Sequence, residues 1–377
     1  MEYMAKNIPL WQITTWDKNF NNVDKEWQPK TIKYKYLLSD ELDSLRVDDG
    51  DIRILYTGKD VGYTTEELAG DNISEGEVVS IPWGGIPTVK YHKGKFVTGD
   101  NRIATSNDTS KLTNKYLYYY LQGNIGEIAS YYRGASLKHP CMKDVLKMTI
   151  SYPSVQEQEK ICSQFDMLEW LIEARKQELQ LLDDLIKARF VELFGNPVLN
   201  EKGWESNLLA QLTLKIGSGA TPKGGREAYQ EEGIALIRSM NVYNGKFEYK
   251  DLAHISDEQA AKLDNVIIKE SDVLLNITGA SVARSCVVPN QILPARVNQH
   301  VCIIRCKECI EPIFLNRLLI DDNYQKLLWE IAGSGATREA ITKQQVERLK
   351  IILPPIELQN QFAAFVAQVH KSKFVVI

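Results

Sequence analysis

The chain repeats itself at an offset of 201 residues. Gly134-Ala135-Ser136, the run Lys143 to Ile150, and Tyr152-Pro153-Ser154-Val155-Gln156-Glu157-Gln158 form the first copy. They return as Gly335-Ala336-Thr337, Lys343 to Ile352, and Pro354-Pro355-Ile356-Glu357-Leu358-Gln359. Gly134/Gly335, Val145/Val346, Ile150/Ile351, Pro153/Pro354 and Gln158/Gln359 keep the offset without a gap. Upstream the echo is weaker: Asn101-Arg102-Ile103 against Asn298-Gln299-His300-Val301, and Gly76-Glu77-Val78-Val79 against Ser271-Asp272-Val273-Leu274. Solenoid units run to roughly 20–50 residues, so this period describes a duplicated domain. Two similar globular units, each running into a helix, are suited to holding two similar sites at a set distance.

With 377 residues there is room for two or three domains, each with its own core. A hydrophobic content of 44% and a charged content of 25% are those of an ordinary globular protein. No apolar run reaches the roughly 18–20 residues of a membrane span, and Met1 to Gln12 lacks the basic-then-apolar layout of a signal peptide. The expectation is a cytoplasmic protein, with no membrane partner, whose six cysteines are thiols. Cys302, Cys306 and Cys309 beside His300 have the composition of a metal site but not its layout. His300-Val301-Cys302-Ile303-Ile304-Arg305 alternates as a strand, whereas a structural zinc site pairs two knuckles separated in sequence. No metal site is expected.

The segment between the repeats is the most regular. A 4-3 spacing picks out Ile161, Phe165, Leu168, Ile172, Arg175, Leu179, Leu182, Ile186, Arg189 and Leu193, the pattern of a coiled-coil seam. Neither glycine nor proline interrupts Val155 to Phe194, and Gly195-Asn196-Pro197 supplies a stop. Ser154 with Glu157 three residues on fits a capping box. At a rise of 1.5 Å per residue such a helix is a rod about 60 Å long. Phe362, Val366 and Val369 stand where Ile161, Phe165 and Leu168 stand in the first copy, which predicts a second helix packed antiparallel on the rod. A full second copy would run about 18 residues past Ile377, so this helix is expected to be shortened.

The layout resembles the specificity subunit of type I restriction–modification enzymes. Pro153-Ser154-Val155-Gln156-Glu157-Gln158-Glu159-Lys160-Ile161 is similar to that family's entry into its conserved helices. Ala188-Arg189-Phe190-Val191-Glu192-Leu193-Phe194-Gly195-Asn196-Pro197 resembles the end of its central conserved region. Gly76 to Val79, Pro82-Trp83-Gly84 and Gly99-Asp100-Asn101-Arg102-Ile103-Ala104 resemble one of its target-recognition domains. Gly217-Ser218-Gly219-Ala220-Thr221-Pro222 and Asp272-Val273-Leu274-Leu275-Asn276-Ile277-Thr278-Gly279 do so in the second copy. The resemblance implies an α+β chain with two mixed α/β target-recognition domains. Long helices separate them and form an antiparallel coiled coil with a pseudo-twofold internal repeat.

The domains expected are residues 1–152 and 197–352, with a helical spacer at 153–196 and a C-terminal helix at 353–377. By the same resemblance each domain reads one half of a split site in double-stranded DNA. The seam residues Ile161, Phe165, Leu168, Ile172, Leu179, Leu182, Ile186, Phe362 and Val366 set the spacing and dock two methyltransferase subunits. Restriction (motor) subunits join the complex; S-adenosylmethionine, ATP and Mg belong to those partners and no cofactor to this chain. A related type IIB/IIG-like specificity chain, a two-domain scaffold without DNA and a self-sufficient two-domain DNA-modifying enzyme remain alternatives.

The net charge of −4 looks unfavourable for DNA binding, but its distribution is not. Trp83 to Lys147 carries 10 Lys+Arg against 4 Asp+Glu, the helical spacer 5 against 9, and Trp204 to Lys350 18 against 18. Much of the phosphate affinity is therefore expected from partners. Asn101 and Arg102 have groups suited to adenine and guanine edges, with Asn298, Gln299 and His300 in the matching place. The polar loops around Arg133, Ser136 and Lys138, and around Thr337 and Arg338, contain glycines that allow close approach to a phosphate. Asn241, Asn276 and Arg284 complete the candidates, while Tyr116, Tyr118, Tyr119 and Tyr120 read as a core patch on a helix. Gly219 to Gly225 does not make a Walker loop, and Asn196-Pro197-Val198-Leu199 departs from the Asn-Pro-Pro-Tyr signature of amino-methyltransferases. The five histidines form no triad. Catalysis is expected of partner subunits.

Overall fold

The computed structural model describes residues 7–18, 31–58, 61–222, 224–333 and 339–375. The chain divides into two compact units, Met1–Glu173 and Ala174–Ile377.

The first unit is built on a six-stranded sheet: β1 (Thr14–Trp16), β2 (Ile52–Leu55), β3 (Val61–Thr64), β4 (Ser74–Pro82), β5 (Lys90–Thr98) and β6 (Asn101–Ser106). The strand order is β1-β6-β4-β5-β2-β3, antiparallel except for the pair β2–β5. Val79, Ile81 and Ala104 from the sheet pack with Leu117 and Leu121 of helix α1 (Asn114–Gly123). Thr113 caps α1 by accepting from the Tyr116 amide, 3.2 Å. The pairing of Ile8–Pro9 with Thr149–Ile150 brings the chain back to the point where the next helix starts.

That helix, α2, runs unbroken over Val155–Phe194. Its first turns belong to the first unit, where α1 clasps them with polar groups. Tyr119 donates to Asp166 at 2.7 Å, Lys115 pairs with Asp166 at 2.6 Å, and Tyr118 donates to Glu169 at 3.2 Å. Burial raises the Asp166 pKa, but the Lys115 and Tyr119 hydrogen bonds outweigh it and hold the carboxyl below its ordinary range. The expected tyrosine patch thus packs on the core and also fastens the spacer.

The second unit holds β7 (Thr213–Ser218), β8 (Ile234–Ile237), β9 (Ala253–Ile255), β10 (Val273–Asn276), β11 (Ser285–Val287), β12 (Ala295–Val297) and β13 (Val301–Cys306). One sheet has the order β7-β13-β10-β11, the other β9-β8-β12. Helices α3 (Pro312–Leu319), α4 (Asp322–Gly333) and α5 (Ile356–Val375) complete it. β7-β13-β10-β11 repeats the order β1-β6-β4-β5 of the first unit, so the duplication extends upstream of the gapless stretch.

Strand pairing corrects the upstream alignment. Thr14 lies opposite Ser106 and Thr213 opposite Cys306. Val79 faces Ala104 as Val273 faces Ile304. Asn101 therefore corresponds to Val301, not Asn298, and Val79 to Val273, one residue from the expected match. Cys302 and Cys306 lie in β13, as its alternation requires, and burial pushes both thiols up to about 12.

Helix α5 packs antiparallel on the last turns of α2. Lys373 pairs with Asp183, the Arg189 guanidinium lies over Phe365, and Phe190 and Phe194 each meet Phe362 at 5.6 Å. The seam differs from the 4-3 reading. Its inner positions are Ile186, Phe190 and Phe194, spaced by four, with Leu182 and Leu193 flanking. The cause is Phe314 of α3, which stacks on Phe190 and meets Phe194 edge-on, so the helix faces a broad domain core as well as a partner helix. Phe362 and Val366 are buried as expected and Leu179 is half-buried. In the first unit Ile161 is half-buried, while Phe165, Leu168 and Ile172 are exposed. Among the described residues no helix is long and apolar enough to cross a membrane.

Candidate nucleic-acid interface

In both units the same backbone joint gathers the candidate loops. β4 leads into Trp83-Gly84-Gly85, and the Gly85 amide donates to the Lys138 carbonyl, 3.1 Å. β10 leads into Ile277-Thr278-Gly279, and the Gly279 amide donates to the Glu339 carbonyl, 3.0 Å. Lys138 and Glu339 are 201 apart. The loop that follows a central strand thus meets the polar loop singled out by the repeat, once in each unit.

In the first unit Tyr132–Arg133 pairs with His139–Pro140, and the intervening turn exposes Ser136 and Lys138. Gly134 has φ +141, and a Cβ there would lie 2.2 Å from the Leu137 carbonyl oxygen, so only glycine closes this turn. His139 lies tilted against Trp83 with ring centroids 5.3 Å apart, and its Nδ1 lies 2.6 Å from the Trp83 carbonyl oxygen. Arg133, its side chain 69% exposed, pairs with Asp144 at 3.3 Å. An exposed pair of this kind is worth only about 0–1 kcal/mol, so Asp144 holds the guanidinium only weakly.

Arg102 is placed differently from the expectation. It is 1% exposed, with Nη1 3.1 Å from Asp17 and Nη2 bonded to Asp100. Its guanidinium is sandwiched by Trp83 at 4.7 Å and Tyr36 at 5.6 Å. Burial raises the Asp17 pKa; Arg102 opposes that shift, as does the Tyr36 hydroxyl, which donates to Asp17 at 2.6 Å. Neighbouring Asn101 is also buried and donates to the Leu55 carbonyl, 2.8 Å. Both residues brace the loops from below and are withdrawn from the surface, the Arg102 guanidinium enclosed by two carboxylates and two rings.

The second unit divides its candidates the same way. Asn241, Asn276 and Asn298 are buried and serve the backbone: Asn241 donates to Glu248, Asn276 to Ser239, and Asn298 accepts from the His300 amide. Gln299 is exposed and takes a hydrogen bond from Thr221; His300 is half-buried, with Nδ1 2.5 Å from the Thr278 hydroxyl. Gly219 permits the Thr221 loop to lie here, since a Cβ would sit 1.7 Å from the Val297 carbonyl oxygen. Arg284 is half-exposed, with its guanidinium over Tyr243. Thr278, His300 and Arg284 line one open cleft, to which sequence reasoning had not assigned Ser239, Tyr243 or Glu339. Thr337 and Arg338 lie outside the described residues.

Two copies of one family signature lie on this framework. The family described as type I restriction modification DNA specificity domain matches residues 31–183 and 201–374, and the chain belongs to it. Among curated relatives, the EcoBI specificity subunit of Escherichia coli is 21% identical over 286 residues, 68% of this chain and 59% of its own length. The putative MjaX specificity subunit of Methanocaldococcus jannaschii is 23% identical over 305 residues, 74% of this chain and 67% of its own. The chain thus matches about three fifths of the length of the Escherichia coli relative. In fold it is similar to the S subunit from M. genitalium, with a TM-score of 0.64 at 14% identity, covering 100% of this chain and 92% of that one. A chain from a structure on complex assembly and conformational transition of the type I R-M system gives a TM-score of 0.53 at 16% identity, with the same coverage of both chains.

Proposed function

We propose that this chain is the DNA-recognition subunit of a type I restriction–modification complex, each unit reading one half of a bipartite duplex site. The observation that carries the reading is the repeated joint. Gly85–Lys138 and Gly279–Glu339 bring a strand-end loop and a polar loop together in both copies of a DNA specificity domain. In the first unit Arg133, Ser136 and Lys138 supply exposed groups for phosphates; in the second Gln299, His300 and Arg284 are the polar groups offered to the DNA. α2 is the ruler. Its exposed Phe165, Leu168 and Ile172 form an apolar face for methyltransferase subunits, two in the assembled complex.

The chain itself performs no chemistry in this scheme. Methyl transfer with S-adenosylmethionine, and cleavage driven by ATP with Mg, belong to the methyltransferase and restriction subunits, in the cytoplasm. Sequencing of modified bases in cells that express this chain with its methyltransferase tests the proposal. A motif of two short halves separated by a fixed gap is expected; a contiguous motif, or modification independent of this chain, would contradict it.

A further inference from the structure

The geometry points to Arg284 as the residue with which the second unit reads a guanine, in a cleft that accepts the edge of a G·C base pair. The inference rests on the DNA-reading function proposed above and assigns that function one side chain. The cleft has a volume of about 930 Å³ and is lined by Ser239, Tyr243, Thr278, Arg284, His300 and Glu339 among others. It opens beside the Gly279–Glu339 joint.

Arg284 is held ready for a bidentate acceptor. Its guanidinium lies 4.5 Å from the centroid of the Tyr243 ring, which restricts its rotation while leaving the N–H fork at the edge. Among the described residues it makes no ion pair, unlike Arg102, Arg296 and Arg305. The backbone beneath is fixed. Ala283, buried and in the left-handed region at φ +70, donates to the Asn276 carbonyl at 2.9 Å and accepts from Gln325 at 2.8 Å. The Arg284 carbonyl accepts from the Asn276 amide at 2.8 Å. Buried Asn276 ties Ser239 to Ser281 through its Nδ2, at 2.9 and 3.2 Å, and among the described residues its Oδ1 has no partner. A left-handed alanine is tolerated where the surroundings over-determine it, and such positions cluster at binding sites.

The mixture of charges selects a base edge over a phosphate. A phosphate cradle gathers cations, whereas an acidic residue, Glu339, lines this cleft together with Arg284. Guanine offers O6 and N7, two acceptors that match a guanidinium fork, and its cytosine partner offers an N4 amino donor that matches a carboxylate. A cation and an anion in one cleft are complementary to that pair.

The test is the modified-base motif written by the complex containing Arg284→Ala or Arg284→Lys, with co-purification of the methyltransferase and a melting curve for each variant. One guanine in a single half of the motif is expected to become degenerate with alanine and partly so with lysine. Binding of the assembled complex to the original duplex should fall about 10- to 100-fold with alanine. The other half should stay unchanged. An unchanged motif with weaker binding and a shallower salt dependence would make Arg284 a phosphate contact and overturn the inference. So would an unchanged motif with unchanged binding. Lysine keeps the charge, so it reports even where alanine fails to assemble. Absence of a bipartite motif from the complex with the native chain would instead defeat the DNA-reading function itself.

Discussion

Arg102 and Arg133 separate two jobs that one residue type can do. Both are arginines near candidate loops, yet one is sandwiched inside a buried ion pair and the other carries an exposed, weak one. Removing one partner of a buried pair leaves an uncompensated charge, at a cost of about 3–5 kcal/mol. Arg102→Ala is therefore expected to lower thermal stability by that order and to leave the other unit's half of the motif intact. Acid should narrow the gap. The Asp17 pKa is already raised by burial, so as pH falls its carboxyl protonates, the penalty in the variant is relieved, and the wild type loses its ion pair. Melting curves of both proteins across pH would check this; a variant as stable as wild type would return Arg102 to the surface.

Among the elements, two glutamines tie helix to domain. Gln158 Nε2 donates to the Lys111 and Pro153 carbonyls at 2.6 and 2.9 Å, and its Oε1 accepts from the Thr113 amide at 2.9 Å. Gln359 repeats this with Cys309, Pro354 and Glu311 at 3.4, 2.7 and 2.9 Å. Each is fully buried and locks the first turn of its helix to the loop that launches α1 or α3. Gln158→Ala and Gln359→Ala orphan backbone groups on both sides and should each cost about 2–3 kcal/mol. Glutamate at either position, lacking the donor, should not rescue stability in thermal unfolding; rescue would disprove the latch.

The pair was visible in the sequence because nothing interrupts the 201 offset around it, and so were the long helix and its antiparallel mate. The match Leu10-Trp11-Gln12-Ile13-Thr14 with Leu209-Ala210-Gln211-Leu212-Thr213 was equally readable but sits at an offset of 199. In both, the threonine hydroxyl donates to the leucine carbonyl four residues back. Segments of unequal length had shifted the register: the offset is 200 between β6 and β13, 198 where α1 and α3 begin, and 201 from Gly134/Gly335 onward. That shift also made Asn298 look like the counterpart of Asn101. Burial was the less readable property. Asn, Arg and Gln have the same groups for a base edge as for a neighbouring backbone, and only the fold around Arg102, Asn276 and Asn298 shows which use is made.

At the scale of the whole molecule, duplication supplies two similar units, the proposed readers, and each is fastened to its part of α2 in its own way. The first unit uses hydroxyls and charges around Asp166, the second an aromatic core around Phe190 and Phe194. Neither fastening uses the exposed loops of the Gly85–Lys138 or Gly279–Glu339 joints. Those loops can therefore vary without disturbing the helix, which is what the proposed separable half-sites require. The most direct measurement is the modified-base motif after Met1 to Ser151 is exchanged for the corresponding domain of another such subunit. One half of the motif should change, with the other half retained. A change in both halves, or in neither, would contradict the account.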